Sequence, residues 1–131
     1  NKYIKSLIPF RNPINHMTVG YLKTSVLEVD GYPELFLKGD YGLWIKLLSK
    51  NKKFINLEQR LVKVTAGSRM IRDRGGLRYI YSEFLLQKFL LEFKLTNILN
   101  AFIVFILRTL VFSMPAIFRT YIYKKFLRKK K

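Results

Sequence analysis

The chain has 131 residues and a formal charge of +17, from 25 Lys and Arg against 8 Asp and Glu. It has no cysteine and a single histidine, His16, which excludes disulfide frameworks, thiolate metal sites, cysteine nucleophiles and histidine-rich metal clusters. Half of it is apolar and 15% is aromatic, which excludes an ordinary disordered basic tail. One domain with a modest core and a polyanionic neighbour is what remains.

The chain opens Asn1-Lys2-Tyr3 with no signal-peptide pattern, as an internal position in a longer protein would. Pro9, Pro13 and Asn15 punctuate the first stretch as loop, and Met17 to Leu22 reads as a β-rich run. Ser25 to Val29 fits a short helix or a turn closing at Gly31, and spacing does not decide between them. Asp40 is the strongest helix start, an N-cap ahead of Leu43, Leu47 and Leu48 at helical spacing. Lys46, Lys50 and Lys52 take the opposite side and the last turn, where cations suit the helix dipole. Phe54 to Leu57 and Leu61 to Val64 read as strands.

Gly67 to Gly76 is a turn-rich connector holding Arg69, Arg72 and Arg74. These guanidinium groups suit bidentate phosphate contacts, and a solvated loop is the competing reading. Gly75-Gly76 sets a turn, since no helix-entry Lys-Ser/Thr follows it. From Leu77 the pattern is helical, with Leu77, Ile80, Phe84, Leu85, Phe89 and Phe93 on one face. Asn97 to Ser113 is more apolar still.

A spanning helix needs about 20 apolar residues. Asn100, Arg108, Ser113 and Pro115 interrupt this run, so it suits a membrane surface better than a membrane crossing. Basic residues then interleave with aromatics and no acid intervenes, as a segment seated on an anionic leaflet would have them. Arg108, Arg119, Tyr121 and Tyr123 are the expected membrane contacts, together with Lys124, Lys125 and Arg128. A core helix with a solvated lysine tail is the plainer alternative. RNA binding fits less well, because most aromatics lie in apolar helical stretches and not on a stacking surface.

Four stretches, in order, carry a resemblance. Asn12-Pro13-Ile14-Asn15-His16-Met17-Thr18 is similar to the N-P-x-x-H-x-T segment of bacterial family-2 glycosyltransferases that build surface polysaccharides. Ser25-Val26-Leu27 running to Gly31-Tyr32 follows. Gly39-Asp40-Tyr41-Gly42-Leu43-Trp44 resembles the family's E-D-Y-x-L-W element, and Arg72-Asp73-Arg74-Gly75-Gly76 closes the set. Each is weak alone; their order makes the match specific over roughly Arg11 to Arg128.

The resemblance implies an α/β chain: the acceptor-binding half of a GT-A, Rossmann-like fold over 1–76, then a helical, basic, membrane-associating region over 77–131. It implies a sugar moved from a nucleotide-sugar donor to a lipid-linked or saccharide acceptor at the cytoplasmic face of the inner membrane. It implies a divalent metal, Mg or Mn, for the complete enzyme. The metal-binding D-x-D motif of the family is absent here, so this half binds no metal and does not transfer sugar alone. No nucleic acid is expected as a partner. Asp40 inherits the role of general base, although Gly39 stands where the family has Glu. Asn15, His16, Trp44, Arg69, Arg72 and Arg74 are the expected substrate-binding residues, with Trp44 read either as packing or as the floor of a sugar site. A non-enzymatic membrane-binding module is the rival from another class.

Overall fold

A computed structural model describes residues 2–59, 61–64 and 74–122. Short helix α1 (Lys2–Leu7) stops ahead of Pro9 and buries Ile4. A 3₁₀ turn (His16–Thr18) follows, and then α2 (Lys23–Leu27). α2 ends where Asp30 and Gly31 both take positive φ, reversing the chain. α3 (Gly39–Ser49) is the centre of the core: Leu43, Trp44 and Ile45 are fully buried. Around it pack Ile4 and Ile8, Val26 and Val29, and Leu86 and Leu90 from the next helix.

That helix, α4 (Leu77–Glu92), begins after Gly76, whose φ of 77° and ψ of −177° fall in a region essentially reserved for glycine. α5 (Ile98–Ser113) begins at Asn97, whose side chain accepts a bond from the Asn100 N–H at 2.8 Å. α4 and α5 lie antiparallel, with Phe84 beside Phe105 and Tyr79 beside Phe112 at ring-centroid distances of 6.1 and 5.7 Å. After Pro115, α6 (Ala116–Ile122) turns Arg119 back to donate to the carbonyls of Phe112 and Met114. A side chain at Gly75 would meet that guanidinium at 1.7 Å, so only glycine lets the two approach.

The described residues form helices and irregular loops, with no strand among them, so the α/β layering expected from the sequence is not present in them. The physical reasons differ by segment. Asn15 caps Met17 and winds His16–Thr18 into a turn where a strand was expected. Phe54–Leu57 and Leu61–Val64 run without helical structure, but a strand exists only when paired. Ile55, Leu57, Leu61 and Val62 are exposed.

α4 turns inward a face only partly shared with the one its apolar spacing suggested, with Phe89 and Phe93 packed against the core as expected. Ser82, Glu83, Leu86, Gln87 and Leu90 are buried, while Leu77 and Phe84 are exposed. Glu83 accounts for the inversion, because its ion pairs to Lys38 and Arg108 compensate a polar ridge inside the fold.

Candidate active site

Asp40 is not an N-cap. The cap position is Lys38, which makes no side-chain cap bond, and Asp40 lies in the first turn of α3. There the helix dipole favours a carboxylate, but the capping bond goes unmade. Its Oδ2 instead accepts from Asn12 Nδ2 at 3.0 Å. Asn12 is itself fixed, since its Oδ1 accepts from the Ile14 N–H at 3.1 Å. The first residue of the N-P-x-x-H-x-T stretch thus orients the carboxylate of the Asp-Tyr-x-Leu-Trp stretch, 28 residues later. Asp40's other oxygen has no bonding partner among the described residues.

Asp40 opens onto a cleft of about 640 Å³, walled by the loop after α1, the start of α3 and the far ends of α4 and α5. Five cations line it, Arg11, Lys38, Arg74, Arg108 and Arg119, against the single carboxylate of Asp40. A second carboxylate, Glu83, is wholly buried behind the wall and meets Arg108 Nη1 at 3.1 Å and Lys38 Nζ at 3.5 Å. Burial lowers the Lys38 pKa, Glu83 opposes that shift, and Arg108 and Arg74 add to it. The Tyr41 phenol, also lining the cleft, is pushed well up, chiefly by burial. Such a cleft can take a proton at Asp40 and hold an anion beside it.

The cleft does not fit a divalent cation. One accessible carboxylate among five cations offers no ligand set, and the described residues hold no group of three His, Cys, Asp or Glu side chains suited to a metal.

The other expected site residues divide between the cleft, the core and the surface. Arg74 lines the cleft; Arg69 and Arg72 lie outside the described residues. His16 is exposed and stands edge-on to Tyr32 at 5.7 Å, with Trp44 tilted at 6.2 Å. Asn15 is occupied in capping the turn. Trp44 is fully buried in the core between Tyr21 and Phe54, a packing position, and with Asn15 it lines a second cavity of about 710 Å³ apart from the cleft of Asp40. The Tyr32 hydroxyl lies 3.1 Å from that of Tyr21, and burial together with that bond raises its pKa to about 12.

Two of the expected membrane contacts turn inward. Arg108 points to Glu83 and donates to the Phe10 carbonyl at 2.6 Å, while Arg119 is buried against Gly75. In both, a carboxylate or main-chain carbonyls within reach of the guanidinium satisfy it better than an exposed position would. Tyr121 is exposed; Tyr123, Lys124, Lys125 and Arg128 lie outside the described residues.

Asn12, Lys38 and Glu83 had no part in the site read from the sequence. Asn12 stood in a recognised stretch, so a role for it was within reach. Glu83 left one sign: an acid in the middle of a helix, in a chain with 25 cations and 8 acids, needs a counter-charge once buried.

No protein-family model matches the chain, and no solved structure does. Curated relatives do. The chain is 34% identical over 95% of its length to the amylovoran biosynthesis glycosyltransferase AmsE of Erwinia amylovora, covering 47% of that protein. It is 34% identical over 98% of its length to the UDP-Gal:α-D-GlcNAc-diphosphoundecaprenol β-1,3-galactosyltransferase of Escherichia coli, covering 45% of it. An uncharacterised glycosyltransferase of Haemophilus influenzae is also 34% identical, over 91% of this chain and 44% of its own. The chain is therefore a homologue of the bacterial glycosyltransferases of surface-polysaccharide biosynthesis, and it spans about half the length of the curated relatives it matches.

Proposed function

We propose that the chain is the acceptor-side half of a family-2, GT-A glycosyltransferase, with Asp40 as the general base. The observation that carries this is the cleft itself: one carboxylate, oriented by Asn12 and surrounded by cations, in a homologue of sugar transferases. In the reaction, an acceptor hydroxyl gives its proton to Asp40 as its oxygen bonds to the anomeric carbon. The bond from that carbon to the donor's phosphate oxygen breaks, and the nucleoside diphosphate leaves with the bonding pair. A single base suffices for such an inversion, unlike the carboxylate pair of glycoside hydrolysis.

The donor is a nucleotide sugar and the acceptor a lipid-linked or other saccharide. One relative's name specifies a diphosphoundecaprenol-linked acceptor, and the Arg11, Arg74 and Lys38 side of the cleft suits a phosphate group of that kind. Arg69 and Arg72 extend the same basic connector. The donor diphosphate and its Mg or Mn belong to the other half of the enzyme, so the isolated chain is inactive. Residues 1–76 supply the acceptor side, and residues 77–131 seat the enzyme.

That seat is peripheral, on the cytoplasmic face of the inner membrane. Among the described residues no helix is long and apolar enough to cross a membrane. Support comes from α5, where Leu99, Phe102, Ile103, Ile106 and Leu110 form one exposed stripe at helical spacing, and from α6, where Ile117, Phe118 and Tyr121 are exposed as well. The contact is apolar and does not involve Arg108 or Arg119.

The test is sugar transfer by the intact gene product, with radiolabelled nucleotide sugars and a bacterial lipid extract. Label entering the lipid fraction is the expected result. No transfer from any common donor, with liposome binding retained, would leave a membrane-binding module in its place.

A further inference from the structure

Glu83 is the only fully buried acid among the described residues, and it lines no part of the cleft. Its carboxylate is fully engaged. Oε1 accepts from Gln87 Nε2 at 2.8 Å, while Oε2 meets Arg108 at 3.1 Å and Lys38 at 3.5 Å. Both cations lead to Asp40, by separate routes. Lys38 is the cap residue of α3, two positions before Asp40 on the same backbone. Arg108 uses its other terminal nitrogen to hold the Phe10 carbonyl at 2.6 Å, and Asn12, two positions on, donates to Asp40.

We propose that Glu83 is a positioning residue for Asp40, holding through Lys38 and Arg108 the two segments that place that carboxylate in the cleft. The inference rests on the reading of Asp40 as the base. A buried acid kept only for packing is poorly explained, since an apolar side chain of similar volume fills the same space without desolvating a charge. A carboxylate gripping two cations from two segments fixes those segments relative to each other, as a preorganised site requires. Arg108 is the key relay, because one guanidinium spans the buried acid and the loop carbonyl.

The experiment uses the intact gene product with Arg108→Lys and Glu83→Gln. Lysine keeps a charge opposite Glu83 but loses the second arm to Phe10, so it cuts the relay without stranding the acid. Arg108→Lys should lower kcat for sugar transfer about ten- to a hundredfold, with donor KM within about twofold. Glu83→Gln should lower it further. Lys88→Gln, on the exposed side of α4, should match the wild type.

A second readout needs no turnover. The side-chain amide protons of Asn12, followed by NMR, should move in Arg108→Lys toward their position in Asp40→Asn. Transfer and Asn12 amide both unchanged in Arg108→Lys would overturn the positioning role, whether or not Glu83→Gln folds. A wild-type protein that transfers no sugar would sink the transferase reading instead, and the Asn12 amide alone would then decide on Glu83.

Discussion

α3 and α5 are both rich in large apolar residues, and they have opposite fates. In α3 the run from Tyr41 to Leu48 is buried almost throughout, with only Lys46 partly open. In α5, the more apolar of the two, only Ala101 and Val104 are buried. The contrast separates two uses of the same chemistry. The α3 side chains fill a core whose other walls this chain supplies. The α5 side chains are apolar toward something the described residues do not supply, and a stripe of that size is not left in water without a reason.

The widest separation between the two helices should come from truncating one large side chain in each. Trp44→Ala should cost about 3–5 kcal/mol in urea unfolding, because it empties a fully enclosed site. Phe102→Ala, 61% exposed before the change, should stay within about 0.5 kcal/mol. Equal losses in both would mean that α5 is already packed in solution and would end the comparison. A smaller loss is expected from Gly42→Ala, whose new methyl would meet the Pro33 ring at 2.4 Å. It should cost about 1–3 kcal/mol by overpacking.

The α5 side of the contrast is sharpened by vesicles. Phe102→Ala should weaken binding to anionic lipid vesicles by roughly tenfold, the transfer energy of one large apolar side chain, with stability unchanged. Trp44→Ala, assayed below its unfolding transition, should bind as the wild type does. The smallest effect is spectroscopic. Tyr32 keeps its proton to about pH 12 when folded, against 10.0 for the free side chain. The stability this contributes is complete below the lower value and is lost as pH rises through the higher one. Ultraviolet titration of Tyr32→Phe should lack one late-ionising phenol; loss of an early one would contradict the Tyr21–Tyr32 contact.

The helices were legible in the sequence where periodicity and punctuation agreed. The start near Asp40, the turn at Gly75-Gly76 and the break at Pro115 all fall at or beside element boundaries. The inward face of α4 was not legible, because hydropathy ranks Phe84 above Glu83, and only the three-dimensional pairing to Lys38 and Arg108 reverses that order. The strands expected at 17–22, 54–57 and 61–64 misled for another reason: strand propensity describes a surface that needs a partner, and no partner strand appears among the described residues. Of the residues lining the candidate cleft, Asp40 and Arg74 were singled out from the sequence by type and motif. Lys38 and Glu83 were not named, and Asn12 was only placed in a recognised stretch, because their roles are contacts between segments distant in sequence.

The chemistry of the cleft turns on Asp40. The most direct test compares Asp40→Asn with Asp30→Asn in the intact gene product, measuring sugar transfer to lipid. Both replace a carboxylate by an amide, but Asp30 sits in an exposed turn at a φ of 55°, a conformation asparagine adopts readily. Loss of about 10²–10⁴-fold in kcat for Asp40→Asn, with Asp30→Asn unchanged, is the expected result. Equal activity in the two variants would remove Asp40 as the base and, with it, the chemical meaning given to the cleft.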